Sequence, residues 1–243
     1  MYSWIEVLLY LTILELEGSD LDTSYSIRLP ALKTLLLDRV GFKQNDGMFK
    51  FVLGCPSLEK LMVLNLVHQL RLQSTSLKFI QLGYRANIEP IQIEAINLES
   101  LILNGFIFEN SNLSACKAIK NLSIVLAEYN FEDPSSLEDL ISYFPHLENL
   151  TLDCDELTLE NIKISNQQLR SLDLENCGYY SETDYRMVNV TVLAPKLTSF
   201  CYKGNISLTI VVESSDLLNG ELVILDRPKK YDANWFTRMM NFL

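Results

Sequence analysis

The most regular feature of the sequence is the apolar pattern L-x-x-L-x-L, in which Ile, Val, Phe or Tyr replaces some of the leucines. Successive copies begin 19 to 28 residues apart. An internal repeat of about 20 to 29 residues with this pattern is typical of the leucine-rich repeat, in which each copy supplies a short strand and a return segment. The nine copies begin at Leu11, Leu32, Leu58, Leu77, Leu98, Ile119, Leu147, Leu169 and Leu197.

The repeat predicts how the chain is organised. A single copy is too small to bury its own apolar face, so neighbouring copies must stack and share one core. The sequence therefore predicts an α/β leucine-rich-repeat solenoid of about nine repeats, a curved arc with a parallel β-sheet on its concave face and short helices and irregular segments on its convex face. We expect a single leucine-rich-repeat domain over residues 1–243, with recognisable repeats over 11–204 and capping strands and a helix over 205–243. Asn234 to Leu243 has apolar residues at helical spacing and predicts that closing helix.

Prolines and cysteines mark the same phase of the repeat. Cys55 and Cys116 each stand three residues before an anchor leucine or isoleucine, and four prolines stand two residues before one. The fixed φ of proline and its missing N–H suit the point where a return segment ends and a strand begins. Apolar residues at helical spacing predict helices in two return segments, Asp46 to Leu53 and Asp133 to Phe144. The four prolines are Pro30, Pro56, Pro145 and Pro195.

Charge is distributed unevenly along the chain. The formal net charge is −11, yet residues 28–85 carry nine Lys or Arg against three Asp or Glu. Residues 128–185 carry two basic residues against fourteen acidic ones. Because segments distant in sequence occupy different repeats of a solenoid, we expect a basic first half and an acidic second half.

Residues suited to catalysis or metal binding are sparse. The histidines are His68 and His146, and neither is placed beside a nucleophile. The sequence contains no H-E-x-x-H, G-x-S-x-G, Walker-type or dinucleotide-binding motif. The five cysteines include no C-x-x-C pair, which favours free buried thiols over a zinc site or a disulfide framework. Asp153 to Glu156 lacks the spacing of a calcium loop and predicts a solvated turn. We therefore predict a protein that is not an enzyme and that has no metal site and no cofactor.

The sequence also limits location and partners. No stretch approaches the roughly 18 uninterrupted apolar residues of a membrane span, and the apolar start of the chain lacks a basic leading segment. We therefore expect an intracellular protein, in the cytoplasm, the nucleus or both. The basic residues of 28–85 do not form a dense run with interleaved aromatics, so neither a nucleic acid nor a membrane is the expected partner.

The predicted strands expose two unlike groups of residues. Solvent-facing strand positions of a solenoid form columns on the concave face. In the first half, we predict that the apolar residues of these columns bind a partner protein. The alternative is that neighbouring loops or a missing segment cover them, or that the strand register slips by one residue and exchanges inside for outside. The predicted partner-binding residues are Leu36, Met62, Leu64, Phe79 and Ile102, and a possible acidic contact surface in the second half comprises Asp153, Asp173 and Glu175.

Three phrases carry a resemblance to a known family. Leu29 to Asp38 reads LPALKTLLLD, Leu53 to Leu61 reads LGCPSLEKL, and Ala194 to Phe200 reads APKLTSF. In this order they resemble the repeat region of plant F-box/LRR proteins, including those with an FBD domain, over most of residues 11–204. The resemblance implies that the repeats recruit a protein for ubiquitination. In that family an F-box binds the Skp1-type adaptor of a cullin ubiquitin ligase, and no segment of this chain resembles an F-box.

The favoured interpretation is a protein-binding module, the substrate-recognition part of an F-box type receptor of an SCF ubiquitin ligase. A Skp1-type adaptor is expected as a partner only if a missing F-box is supplied. A second interpretation is a module that senses a small ligand. An anionic ligand would need basic side chains on the concave face, and the columns supply only Lys60 and Lys203. A third interpretation is a structural scaffold or remnant with no specific ligand.

Overall fold

The computed structural model divides the chain into two compact units. Unit 1 is Met1–Ile119 and unit 2 is Lys120–Leu243. The structure describes residues 9–24, 27–66, 70–84, 91–105, 111–125, 135–153, 161–175, 188–204, 208–225, 233 and 237. The prediction of a single domain over 1–243 stays a prediction.

Strands are far more frequent than helices in the described residues. The two helices are α1 (Gly47–Leu53) and α2 (Ser135–Ser142), in the two return segments that were predicted to be helical. The strands are β1 (Ile13–Glu17), β2 (Asp20–Leu21), β3 (Thr34–Asp38), β4 (Gly41–Phe42), β5 (Lys60–Leu66), β6 (Arg71–Ser74), β7 (Phe79–Tyr84), β8 (Gln92–Ala95), β9 (Ser100–Asn104), β10 (Asn121–Val125), β11 (Asn149–Asp153), β12 (Asn161–Ser165), β13 (Ser171–Glu175), β14 (Val188–Leu193), β15 (Ser199–Gly204), β16 (Leu208–Glu213) and β17 (Asn219–Ile224).

The predicted strands of unit 1 form one parallel sheet in the order β1-β3-β5-β7-β9. Successive residues of a strand point to opposite faces, so the second and third anchors of each repeat share one face. In β3, Leu35 and Leu37 are fully buried, whereas Leu36 between them is partly exposed. The anchors thus line the core, as predicted.

Unit 2 repeats the arrangement with β10, β11, β13, β15 and β17, which are also parallel. In β13, Leu172 and Leu174 are buried and Asp173 lies between them on the other face. The parallel strands and the buried anchors confirm the predicted leucine-rich-repeat solenoid.

Several return segments contain strands, which were not predicted. In unit 1, β2 pairs with β4 and β6 pairs with β8. In unit 2, β12, β14 and β16 form a three-stranded parallel sheet. Leu72 and Ile93 of unit 1 and Val190 of unit 2 are buried in these strands. The core is therefore lined by strands from both sides of the repeat.

Tight turns connect the return segments to the sheet strands. The N–H of Leu32 donates to the carbonyl of Leu29 at 3.1 Å, and the N–H of Leu58 donates to the carbonyl of Cys55 at 3.0 Å. The same bond joins Leu197 to Ala194 at 3.0 Å. Each turn has proline at its second position, where a fixed φ near −65° is favourable. The predicted proline phase is thus explained by a β-turn that leads into the strand.

Four repeats of unit 1 have left-handed backbone at or just after the end of their sheet strand. In unit 1, φ is 59° at Gly18, 52° at Arg39, 55° at Asn65 and 68° at Gly105. Each of these residues stands two positions after the third anchor of its repeat. Glycine and asparagine tolerate this conformation, whereas other residues are strained in it.

Strand β17 adds a tenth repeat strand to the nine that were predicted. It pairs with β15 in register, from Ser199 with Asn219 to Gly204 with Ile224. In its sequence, NGELVI, Gly220 stands at the position of the second anchor, so the pattern search missed the strand. The closing helix predicted over Asn234 to Leu243 lies almost entirely outside the described residues.

Candidate functional site

A row of apolar residues crosses the face of the unit 1 sheet that points away from the core. Leu36 pairs with Met62, Met62 pairs with Gln81, and Gln81 pairs with Ile102 on successive strands. All four are partly exposed. The register is the one that the anchors predicted, so inside and outside are not exchanged in these strands. We call Leu36, Met62, Gln81 and Ile102 the apolar row.

Phe79 and Leu64 lie on the same face as the apolar row. Lys60 pairs with Phe79 across β5 and β7, and its Nζ atom lies 4.8 Å from the centroid of the Phe79 ring. This geometry is that of a cation–π contact. Leu64 is beside Gly83, where an added Cβ would lie 3.7 Å from the Leu64 Cδ2 atom. The structure therefore brings all five predicted partner-binding residues together on one sheet.

The end of β5 departs from the predicted register. The pairing of β5 with β7 shifts between Val63 and Leu66, and Asn65 at this bulge has left-handed backbone. The Asn65 side chain is held because its Nδ2 atom donates to Asp38 Oδ1 at 2.7 Å. The bulge therefore fixes the position of Leu64 at the edge of the apolar surface.

Acidic residues border the apolar row on the unit 1 sheet face. Glu15 pairs with Leu36, and Glu17 pairs with Asp38 in the next row. Arg39 follows β3 directly, and its guanidinium donates to Glu17 and lies 3.8 Å from Asp38. The surroundings of the apolar row are therefore mainly acidic at β1 and β3.

The basic excess of residues 28–85 lies elsewhere. Lys33 and Lys78 flank Glu59 at the edge where the strands begin, with nitrogen–oxygen distances of 3.8 Å and 3.3 Å. Lys50 lies 2.9 Å from Asp46 at the start of α1. The basic excess expected in the first half thus belongs to residues 28–85 as a segment. It is not concentrated on the sheet face that carries the apolar row.

The acidic residues predicted in the second half lie together on the unit 2 sheet. Asp153 pairs with Glu175, and Glu175 pairs with Lys203. The Lys203 Nζ atom is 3.4 Å from Glu175 Oε2. Lys203 therefore balances part of the charge in this row.

Asp173 occupies the adjacent row, together with Cys201 and Glu221. Burial raises the pKa of the Asp173 carboxyl, and the charges of Glu175 and Glu221 raise it further. Burial also raises the pKa of the Cys201 thiol, with a further contribution from Glu221. Asp173 and Glu221 thus concentrate negative charge in this row. None of the three residues Asp173, Cys201 and Glu221 is basic.

Sequence reasoning missed Glu221 because β17 has Gly220 at the position of the second anchor. The spacing could have found it, since Asn219 follows Ser199 by 20 residues, which lies within the repeat period. Glu221 extends the predicted acidic surface by one strand.

The cysteines are the described residues best suited to redox or metal chemistry, and two of them are packed in the core. Cys55 and Cys116 are buried, and burial raises the pKa of the Cys55 thiol to about 11 and also raises that of Cys116. The Cys116 Sγ atom donates to the carbonyl of Ile93 at 3.4 Å. Within the described ranges, no group of three or more His, Cys, Asp or Glu is placed to hold a metal ion. The predicted turn at Asp153 to Glu156 lies outside those ranges after its first residue, and His68 lies outside them altogether.

The described helices are short. None of them has the length and the apolar content that are needed to cross a membrane.

Comparison with known protein families gives a match in the first half of the chain. The family model described as "FBD-associated F-box protein At5g56370, LRR repeats" matches residues 6–124, which include all five partner-binding residues predicted in unit 1. No curated protein and no solved structure matches the chain significantly. Residues 6–124 are therefore similar to the leucine-rich repeats of the FBD-associated F-box proteins.

Proposed function

We propose that this chain is a non-enzymatic, intracellular protein-binding module, the substrate-recognition part of an F-box type receptor of an SCF ubiquitin ligase. The observation that carries the proposal is the apolar row, in which Leu36 and Met62 are neighbours and Gln81 separates Met62 from Ile102, on a sheet face that the core does not use. A contiguous apolar surface with charged residues around it is characteristic of a protein-binding site. The match of residues 6–124 to the repeats of an F-box-associated family supports the receptor role.

The chemistry around the apolar row defines the partner it suits. The carboxylate of Glu15, which pairs with Leu36, favours a partner segment that presents apolar anchors together with a basic residue. A Skp1-type adaptor binds this module only when an F-box is supplied.

A module that senses an anionic small ligand is less well supported. Lys60 lies over the Phe79 ring, and Lys203 lies close to Glu175. Both basic residues that were candidates for holding such a ligand are therefore engaged within the sheet.

The test uses paired charge insertions. Met62→Asp and Ile102→Asp, made together, place two carboxylates in the apolar row, and we expect capture of the partner from cell extract to fall by at least about 100-fold, since each lost hot-spot contact costs ~2 kcal/mol. The control is Ile96→Asp, which adds one carboxylate at a side chain that is 58% exposed and lies outside the sheet strands. Thermal unfolding of each variant verifies the fold.

The informative proteins are those captured by the unmodified chain and by the Ile96→Asp control and lost in the double variant. Fusion of an F-box to the module should then lead to their ubiquitination in the presence of adaptor and ligase. Capture that is unchanged in a folded double variant contradicts the proposed site. Loss of capture without ubiquitination by the fusion contradicts the receptor role.

A further inference from the structure

The apolar row has the spacing of the sheet itself. Leu36, Met62, Gln81 and Ile102 are register partners on four successive strands. Neighbouring strands of a sheet lie about 4.8 Å apart, so the row spans about 14 Å from its first residue to its last. A partner segment that follows the row must therefore present inward-facing side chains at about this interval.

An α-helix that lies across the strands matches the interval. Each residue of a helix rises about 1.5 Å, so side chains at positions i, i+3, i+7 and i+10 lie on one face at about 0, 4.5, 10.5 and 15 Å. An extended segment in the same place turns a side chain inward only every ~6.6 Å. It would face the four residues of the row with three side chains. The row thus accommodates about one helical turn per strand.

The residues on either side of the apolar row suit the width of a helix. Phe79 stands two residues before Gln81, and Leu64 stands two residues after Met62, so they flank the row on opposite sides. Both are partly exposed. Residues two positions apart on a strand are separated by about 6.6 Å, and a helix with its side chains is about 10–12 Å wide. A helix on the row therefore also contacts Phe79 and Leu64.

Charge distinguishes the two ends of the row. Glu15 continues the row on β1, where it pairs with Leu36 and is exposed. At the other end, Ile102 stands between Ser100 and Asn104 on its face of β9, and neither is charged. A basic residue of the partner is therefore favoured at the β1 end, about one helical turn beyond the side chain that contacts Leu36.

We propose that the partner segment is an amphipathic α-helix that crosses the strands of unit 1 along the apolar row, with apolar side chains on Leu36, Met62 and Ile102 and a basic residue over Glu15. The residue opposite Gln81 is polar, because a covered amide needs a hydrogen-bond partner. The pattern applies in either chain direction of the helix. This inference rests on the proposed function and narrows the partner to one class of segment.

Selection from a random peptide library tests the class of segment. Peptides of about 20 residues, displayed on phage, are selected on the unmodified chain. A helix spans the row in about 11 residues, since each rises about 1.5 Å. We expect the enriched peptides to carry apolar residues at helical spacing over three turns, with a basic residue one turn beyond one end of the apolar stripe. Their binding should be lost in the Met62→Asp, Ile102→Asp double variant.

A proline substitution in a synthetic copy of an enriched peptide tests its conformation. Proline at a solvent-facing position of the middle turn leaves the contact residues in place but breaks a helix. It should weaken binding by at least about 10-fold, measured by fluorescence anisotropy. The matched control places alanine at the same position, where we expect no loss.

A charge exchange tests the β1 end. Glu15→Arg should weaken binding of the synthetic peptide by about 5-fold or more, and replacement of the basic residue of the peptide by Glu should restore it. Glu94→Arg is the matched control, because it makes the same change at another exposed acid of unit 1, on the return strand β8. It should change the affinity by less than about 2-fold.

The outcomes separate this inference from the proposed function. Peptides that need the apolar row but alternate apolar and polar residues, or that tolerate the proline, overturn the helix and leave the protein-binding site in place. Peptides that bind the folded double variant unchanged contradict the site as well. If the double variant does not fold, the proline and Glu15→Arg measurements decide.

Three further results overturn the inference. The first is a library that yields no enriched peptide. The second is a loss at Glu15→Arg that the exchanged peptide does not reverse. The third is self-association of the unmodified chain, observed by sedimentation, that the double variant abolishes, because a second copy would then occupy the row.

Discussion

Units 1 and 2 share one strand pattern but differ in the side chains that they expose on the sheet. Apart from β1 and β17, both bury their second and third anchors, but the residue between those anchors differs. In unit 1 it is apolar in three of the last four strands, whereas in unit 2 it is hydroxylic, acidic or a thiol. The unit 1 residues are Leu36, Met62, Gln81 and Ile102, and the unit 2 residues are Ser123, Thr151, Asp173, Cys201 and Glu221.

The difference shows which part of the repeat serves folding and which part is available for recognition. Leu35 and Leu172 occupy corresponding positions and are both fully buried, because every repeat must contribute to the shared core. Leu36 and Asp173 occupy the next position on the strand, where the side chain points away from the core and does not contribute to its packing. An apolar residue at this position of unit 1 is therefore not explained by packing within the repeat.

The largest expected effect separates the two sides of β3. Leu35→Ala should reduce the free energy of unfolding by about 2–5 kcal/mol, because truncation of a buried leucine leaves a cavity. Leu36→Ala should cost less than about 1 kcal/mol, because part of its side chain is already in contact with water. Urea denaturation of both variants measures the difference. Equal losses would mean that Leu36 is covered in solution and that the apolar row is not a free surface.

The next effect concerns the left-handed turn after β9 in unit 1. Gly105→Ala should destabilise the protein by about 1–2 kcal/mol, because an L-residue is strained at its φ of 68°. Steric overlap does not contribute, since nothing lies within 4 Å of an added Cβ. Gly220→Ala in β17 is the control, because it has equal space and no left-handed backbone, and it should change stability by less than about 0.5 kcal/mol. If the two variants lose stability equally, strain at the turn is not the cause.

The sequence predicted the sheet because the strands are recognised by the spacing of their anchor residues. The anchors fix which residues of β3 and β13 are buried, and the register of the strands follows once the anchors share a core. Leu36, Met62 and Asp173 were therefore placed correctly from their position between anchors. Proline added an independent marker of phase because the turn before a strand needs its φ.

The remaining features depend on contacts that a spacing does not encode. The return strand β6 has four residues, too few for its alternation to stand out against a loop. Lys33 and Lys78 form ion pairs with Glu59 in the neighbouring repeat, and a sum of charges along a segment cannot reveal these pairs. The bulge at Asn65 likewise results from a local backbone conformation that one asparagine permits.

The smallest expected effect tests the acidic surface of unit 2. The folded-state pKa of Asp173 is raised, so at neutral pH the folded protein bears the cost of keeping this carboxylate charged. Asp173→Asn should therefore stabilise the protein at neutral pH, by less than about 1 kcal/mol because the side chain is partly solvated. As the pH falls through the folded pKa, Asp173 takes up its proton in the folded state before it would in the unfolded chain. The advantage of the variant should thus shrink over this range and be absent below the ordinary carboxyl pKa.

Urea denaturation of both proteins across this pH range measures the effect. An NMR titration of Asp173 supplies the control, because Glu221→Gln removes one of the charges that raise its pKa. The Asp173 pKa should move towards its ordinary value in the Glu221→Gln protein. If the pKa does not move, Glu221 of the tenth strand is not part of the acidic surface. The contrast between the two sheet faces would then rest on Asp153, Asp173 and Glu175 alone.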